Sequence, residues 1–267
     1  MPQLFPNLIS KNRQNPENSE KVEKNGENYK EYIKKFWVGL MDGDGSIQVN
    51  HWRSQSLQYR FVIKLKNTTY NYNMLIEIAK VIGGTVRINS KNDSVVWVVD
   101  NRDIIKEIIK IFDKYPPLTS KKICQLEFLK ICLQKNSIEW YFNNRNLKYK
   151  NQLTIIRSDM FGLEKGNFNL PNYFKGWFSG FVEAEGCFSI RKNNNHSFSI
   201  GQNDDIYLLN VIKQYLNATN IVRNPYVNFY SIEIYKKEVL NTIFEHFHNF
   251  PLLGEKLNSF NEFKQKF

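Results

Sequence analysis

The chain has 267 residues, 42% of them hydrophobic, which is enough for one large domain or two smaller ones with real cores. Its mean hydropathy is −0.50 and no apolar run is long enough to cross a bilayer, which argues against an integral membrane protein. The formal net charge of +11 indicates a polyanionic partner, either nucleic acid or an anionic membrane surface.

The N-terminal segment and the cysteines argue against secretion. Residues 1–29 lack the apolar core of a signal peptide and carry too many acids for a typical organelle transit peptide, so we expect a disordered tail. Cys124, Cys132 and Cys187 show no C-x-x-C spacing, which excludes a disulfide framework and a zinc site built on that motif. A reducing, intracellular compartment is therefore expected.

The next hundred residues alternate between helical and strand-like periodicity. A helix is predicted to break at Gly45, two alternating runs follow as a hairpin, and a second helix stops at Gly83 and Gly84. A second hairpin and a third helix, which ends before Pro116, complete this half. The predicted elements are a helix over 32–43, strands over 46–52 and 57–66, a helix over 72–82, strands over 85–89 and 94–100, and a helix over 102–115.

The same order of elements returns in the second half of the chain. The predicted elements there are a helix from 173, strands over 187–192 and 197–201, a helix over 205–216, strands over 220–224 and 227–235, and a helix over 237–247. Residues 136–172 are polar and form the connection, which at this length should contain some helix of its own. We therefore predict subdomains over 30–135 and 173–267, a linker over 136–172, and an α+β fold with α-β-β-α-β-β-α order in each half.

Two matched sequence landmarks support an internal duplication. "WVGLMDGDG" and "FSGFVEAEG" align so that Asp44 matches Glu185, 141 residues later. "YPPLTSK", ending at Lys121, matches "FPLLGEK", ending at Lys256, 135 residues later. Fewer residues follow Lys256 than follow Lys121 in its half, which predicts a reduced terminal helix.

The stretch "DGDG" is not a calcium loop of the EF-hand type. If Gly45 takes the glycine position, Leu40 and His51 fall where the first acid and the bidentate Glu are required. If the loop starts at Asp42, Ile47 falls at the glycine position and Arg53 at the last ligand. Both registers fail.

The acids are better explained as the ends of two helices that dock together. Gly39 and Gly43 lie four residues apart on one helix face, as do Gly180 and Ala184, and small residues allow helix backbones to approach closely. Docking through these faces would place Asp44 beside Glu185. The C-terminus of a helix is its negative end and like charges repel, so two acids there indicate a site for a divalent cation.

These paired segments resemble the signature motifs of the LAGLIDADG homing endonucleases, in their single-chain form with two motifs. The resemblance extends from about Tyr32 to the C-terminus and implies a saddle of curved antiparallel sheets around a central two-helix interface. It implies that Asp44 and Glu185 bind divalent metal, normally Mg²⁺, with help from the backbone carbonyls of Gly43 and Ala184. Hydrolysis of both DNA strands, leaving short 3′ overhangs, is the implied activity.

The resemblance also implies roles for neighbouring residues. The earlier acids of the motifs, Asp42 and Glu183, are assigned a structural role. Family members often carry a basic residue near the reacting water or the leaving oxygen, and Lys236, just past the last strand, is the candidate for it here. Its counterpart in the first half is Asn101, and a merely solvated Lys236 is an equal alternative.

One face of each sheet is expected to contact the DNA, because alternate side chains of a strand share a face. Gln, Asn and Arg suit base edges, and Lys suits phosphates. Since the two faces differ, the target should consist of two unlike half-sites. The family resemblance implies a long, partly degenerate site of about twenty base pairs. The candidate DNA-binding residues are Gln48, Asn50, Gln58, Arg60, Lys64, Lys66, Arg87, Ser189, Arg191, Ser197, Ser199 and Arg223.

Two alternatives remain open at this point: an RNA maturase that assists splicing of its intron, and a DNA-binding regulator without catalysis. Intact Asp44 and Glu185 favour cleavage but do not exclude a second activity. The chain is rich in Lys, Asn, Ile, Phe and Tyr, which have A/T-rich codons. With the family resemblance, this composition predicts a group I intron reading frame translated inside a mitochondrion or another organelle. The single-chain form with two motifs implies a protein that acts as a monomer.

Overall fold

The computed structural model describes residues 21–22, 26–190 and 195–267. In the first half the elements are α1 (Glu27–Gly43), β1 (Gly45–Trp52), β2 (Ser56–Lys66), α2 (Thr69–Ile82), β3 (Thr85–Ile88), β4 (Ser94–Val99), α3 (Arg102–Lys114) and α4 (Ser120–Lys135). The predicted tail over 1–29 falls mostly outside the described residues, but α1 begins inside it, at Glu27.

The connection between the halves contains α5 (Ile138–Asn144), a 3-10 turn (Arg145–Leu147) and α6 (Gln152–Ile156), which confirms the helix expected there. In the second half the elements are α7 (Phe174–Glu185), β5 (Gly186–Ile190), β6 (His196–Asn203), α8 (Ile206–Tyr215), β7 (Arg223–Tyr226), β8 (Phe229–Ile234), α9 (Lys237–Asn249) and α10 (Glu255–Lys266). β7 begins three residues later than predicted, and α10 has 12 residues against 16 in α4. None of the described helices is long and apolar enough to span a membrane.

Each half contains one four-stranded antiparallel sheet, with strand orders β1-β2-β4-β3 and β5-β6-β8-β7. Side chains alternate across each sheet: Tyr59, Phe61 and Ile63 of β2 are buried under the helices, while the residues between them are more exposed. The α+β class, the repeated order and the two-sheet arrangement predicted from sequence are confirmed.

The two halves meet through α1 and α7, which touch backbone to backbone. A Cβ atom placed on Gly39 would lie 1.9 Å from the carbonyl oxygen of Trp177, and one on Gly180 would lie 1.8 Å from that of Phe36. Any side chain at either glycine would therefore push the helices apart. The predicted docking of the two helices through small residues is confirmed, and it fixes how the sheets sit relative to one another.

We expect Gly39→Ala and Gly180→Ala each to lower the free energy of unfolding. Overpacking a rigid contact costs about 1–3 kcal/mol, which exceeds the gain of about 1 kcal/mol in helix propensity when Ala replaces Gly. Urea denaturation measures the change, with Lys30→Ala on the exposed face of α1 as the control. Equal stabilities for all three variants would contradict the close contact.

Candidate active site

The last acids of the two motifs lie together at one end of the α1–α7 seam. Asp44 directly follows α1, where its backbone N–H donates to the carbonyl of Leu40, and Glu185 is the last residue of α7. A Cβ atom on Gly43 would lie 2.3 Å from the Cβ of Ala184 and 3.3 Å from Oε1 of Glu185. The structure thus brings all four residues predicted to hold metal to one place.

The two carboxylates are electrostatically unfavourable as they stand. Burial and the neighbouring charge of Asp44 raise the pKa of Glu185 to about 6, and the opposing effect of Lys122 and Lys256 is smaller. Burial also raises the pKa of Asp44, although part of the residue remains exposed to solvent. Both acids end helices, whose negative ends disfavour more negative charge. The position therefore favours a positively charged ligand.

Two lysines flank the acids, and the sequence comparison did not identify them as site residues. Lys122 lies in the first turn of α4 and Lys256 in the first turn of α10. Burial lowers the pKa of Lys122, while the charges of Asp42, Glu185 and Asp44 raise it. Both lysines act on the pKa of Asp44 and of Glu185.

The sequence landmarks "YPPLTSK" and "FPLLGEK" align Lys256 with Lys121. In the structure, the residue that corresponds to Lys256 is the next one, Lys122. Lys121 is directed elsewhere, with its Nζ 3.6 Å from Oδ2 of Asp204. A register that pairs Lys256 with Lys122 instead aligns Leu118 with Leu252, each 1% exposed. One added residue in the first-half loop hid this match, which the adjacent "KK" in the sequence could have suggested.

Lys236 is not joined to the two acids by any contact or charge interaction among the described residues. It is exposed and precedes α9, while Asn101 precedes α3 with the same backbone angles, so the two positions are equivalent as expected. Asn101 caps its helix by accepting from the N–H groups of Asp103 and Ile104. The basic residues beside the acids are Lys122 and Lys256, and Lys236 is corrected to a surface position.

The earlier acids of the motifs hold the loops that carry these lysines. Asp42 is buried and accepts hydrogen bonds from the N–H of Leu118 at 2.7 Å, from the N–H and hydroxyl of Thr119, and from the indole of Trp177 at 2.6 Å. An acid at a helix N-terminus is favourable because that end is positive. Asp42 therefore anchors the start of α4 and, through Trp177, also ties it to the second half.

Glu183 does the same for α10. Its carboxylate accepts from the N–H groups of Leu253, Gly254 and Lys256, at 3.2, 3.0 and 2.8 Å. Burial raises the pKa of Glu183 while these bonds lower it. The structure is thus consistent with the structural role expected for Asp42 and Glu183.

The donor set fits a hard divalent cation shared with a substrate. The described residues contain no group of three or more His, Cys, Asp or Glu side chains that could hold a metal by themselves. Two carboxylates and nearby carbonyls leave most ligand positions for water and phosphate oxygens, which is how Mg²⁺ is usually bound. Asp44 and Glu185, with the carbonyls of Gly43 and Ala184, are the residues that could hold such an ion.

The strand register places the predicted first-half residues on one face. Gln48 pairs with Arg60 and Asn50 with Gln58, while Lys64 and Arg87 both lie opposite Val96. All are exposed except the half-buried Gln48, and Arg60 also lies 3.7 Å from Asp100. The face continues to Ser46 and Lys66, so the sheet presents amide and basic side chains together.

Among the residues that the structure describes, the second-half face carries fewer basic side chains than the first. Ser189 pairs with Ser197 and Cys187 with Ser199, but Ser197 is only 3% exposed, against the expectation that it is free to bind DNA. Arg223 is exposed on β7, Glu233 lies opposite Ser199, and Arg191 falls outside the described residues.

We expect Asp42→Asn to destabilise the protein and Asp44→Asn not to. An amide at position 42 retains one acceptor and turns a donor toward N–H groups, which costs about 1–3 kcal/mol. Asp44 uses its side chain in no hydrogen bond among the described residues and faces the charge of Glu185. Urea denaturation in a buffer without divalent metal measures both. Equal destabilisation of the two variants would refute this division of roles.

Comparison with known proteins agrees with this arrangement. The sequence model of the LAGLIDADG endonuclease family matches residues 37–132 and 178–267, one region in each half. The probable intron-encoded endonuclease aI3 of Debaryomyces hansenii is 53% identical over 87% of this chain, which spans 38% of that protein. The probable intron-encoded endonuclease aI3 of Dictyostelium citrinum is 46% identical, with 89% of this chain and 96% of that protein covered.

A solved structure shares the fold. The LAGLIDADG homing endonuclease I-LtrWI, in a crystal structure bound to target DNA, superposes with a TM-score of 0.66 at 23% identity, covering 88% of this chain and 89% of that one. Three observations point to the same family. The family model matches both halves, the relatives are more than 30% identical over most of the chain, and the two motif acids lie at a glycine-lined helix seam. This chain belongs to the LAGLIDADG endonuclease family.

Proposed function

We propose that this protein is a site-specific endonuclease that hydrolyses both strands of duplex DNA with a divalent metal, Mg²⁺ in the cell. The observation that carries the proposal is the pair Asp44 and Glu185, flanked by Lys122 and Lys256, at the junction of two polar sheet faces. Two acids and two lysines give each of two phosphodiesters one set of groups. One chain supplies both sets, so a monomer is sufficient.

In this mechanism each motif acid serves one DNA strand. A bound divalent cation would neutralise the charge that develops on the phosphodiester and lower the pKa of nearby water. Asp44 and Glu185, with the carbonyls of Gly43 and Ala184, would hold that ion. Lys122 and Lys256 place positive charge within reach of the scissile phosphates, where it stabilises the transition state more than the ground state. Asp42 and Glu183 keep both lysines in place.

The sheet faces select the target. Gln48, Asn50, Gln58 and Arg60 are suited to base edges, while Lys64 and Lys66 are suited to phosphates. The described part of the second-half face carries mainly serines where the first carries amides and lysines, so the two half-sites would be read by different chemistry. A long asymmetric site of about twenty base pairs follows from two such faces in line.

We further propose that the protein acts in a mitochondrion and is encoded by an intron there. The names of the relatives from Debaryomyces and Dictyostelium describe intron-encoded endonucleases, and the A/T-rich codon bias of the composition agrees. Intron RNA as a second ligand rests on family resemblance alone.

Cleavage of a randomised DNA library tests the activity. The wild type with Mg²⁺ should cut a narrow set of sites, and sequencing of the ends should reveal short 3′ overhangs. Asp44→Asn and Glu185→Gln should each slow double-strand cleavage by about a hundredfold or more, because each removes charge that holds the ion. Reactions with EDTA serve as the metal control. Selective binding without any cutting would refute the nuclease and favour a DNA-binding regulator.

The role of the lysines is tested separately on a recovered target site. We expect Lys122→Gln to slow cleavage by about a hundredfold while binding to the same duplex changes little. Lys121→Gln is a matched control, because Lys121 is the adjacent residue and its side chain pairs with Asp204 instead of facing the acids. Equal cleavage rates for the two variants would exclude a catalytic part for Lys122. Lys236→Gln should leave the rate unchanged.

A further inference from the structure

A polar groove lies between the edge of the first sheet and the connection between the halves. One wall is β1, with Ser46, Gln48 and Asn50, and the other is the segment just after α5, with Arg145, Asn146 and Lys148. The volume of the groove is about 370 Å³. We call it the linker groove. Its first wall is part of the face that the proposed function assigns to DNA reading.

The second wall is held against the sheet by aromatic packing. The hydroxyl of Tyr141 donates to the carbonyl of Val49 at 3.2 Å, which covers the open edge of β1. The ring of Phe142 lies 4.9 Å from that of His51, and Phe128 of α4 packs on Trp140 at 5.7 Å. These contacts fix the segment in place beside the sheet.

The cations of this wall have no acidic partner among the described residues. The guanidinium of Arg145 lies 5.1 Å from the ring of Phe142, and Nζ of Lys148 lies 5.0 Å from the ring of Tyr149. Both side chains are exposed, whereas many other lysines in the described residues, such as Lys106, Lys110 and Lys130, pair with acids. Their charge is available to a ligand.

The floor of the groove also contains an unused hydrogen-bond acceptor. Gln125 of α4 donates from Nε2 to the hydroxyl of Tyr149 at 2.9 Å, while its Oε1 is buried without a partner. An orphaned polar atom at this depth is costly unless water or a ligand reaches it. The groove is therefore built for a hydrated, polar occupant.

We propose that the linker groove binds the sugar-phosphate backbone of one DNA strand, with Arg145 and Lys148 on its phosphates. This rests on the proposed function, because a strand whose bases contact Gln48 and Asn50 carries its phosphates along the rim of the same major groove, next to the edge of the sheet. The basic side chains on the linker wall and the amide side chains on the β1 wall match that geometry. The connection between the halves thus becomes a third DNA-contacting element, beside the two sheets.

Binding measured at a series of salt concentrations tests this. The probe is a labelled target duplex recovered from the randomised library. All variants carry Asp44→Asn and are measured in EDTA, so that cleavage is suppressed. Removing two phosphate contacts with Arg145→Gln and Lys148→Gln should reduce the slope of log affinity against log salt by about 1.8. Lys80→Gln with Lys110→Gln, on the helix layer away from the sheet face, removes the same charge as a control.

The double variant should weaken binding equally for matched and mismatched duplexes, since phosphates carry no sequence information. In an ethylation-interference experiment, the double variant should also no longer show interference at phosphates of one strand, in the first half-site only. A slope equal to that of the control pair would overturn the linker contact and leave the endonuclease proposal intact. Weakening confined to the matched duplex would also overturn it, in favour of base contacts. If the parent binds no duplex at all, both proposals fail.

Discussion

The contact between α1 and α7 is the constraint on which the rest of the molecule depends. With Gly39 and Gly180 touching the opposite backbone, the two helices cannot slide or separate without losing the seam. The same approach carries Gly43 and Ala184 together and so sets the positions of Asp44 and Glu185. The sheets follow each helix directly, because β1 and β5 begin at the next glycines, Gly45 and Gly186. One close contact therefore sets both the site and the relative placement of the two sheet faces.

This arrangement gathers negative charge where a protein would ordinarily avoid it. Two carboxylates share the negative ends of two helices. Burial, and then the charge of Asp44, raise the pKa of Glu185 to about 6. The fold compensates with the positive ends of two other helices, since α4 and α10 begin beside the same site and bring Lys122 and Lys256. Asp42 and Glu183 bind the first N–H groups of those segments. In each motif the earlier acid thus holds the helix that carries a lysine, and the later acid adds negative charge that favours a positively charged ligand.

The two halves share this plan but not their surfaces. The first sheet presents Arg60, Lys64 and Lys66 and is bordered by the linker groove, while the described residues of the second face are mainly serines, with Glu233. Cross-contacts between the halves are also unequal, because Asp205 of the second half accepts from the N–H of Ser120 at the start of α4. A duplicated fold with diverged faces is the physical basis for an asymmetric target.

The sequence by itself determined the class of the fold, the duplication, the small-residue docking faces and the two acids, since all of these depend on local periodicity or on spacing within one short segment. The alternation that places the polar residues of β1 and β2 on one face followed from the same patterns. The tertiary structure decided which lysine reaches the acids. Lys121 and Lys122 are adjacent in sequence, but the loop before α4 has one residue more than its second-half counterpart and is anchored by Asp42, so Lys122 and not Lys121 faces the acids. The tertiary structure also decided that Ser197 is buried and that the connection between the halves packs along β1. Both features depend on contacts between segments that are far apart in the chain. Such long-range packing leaves no periodic signal in a single sequence.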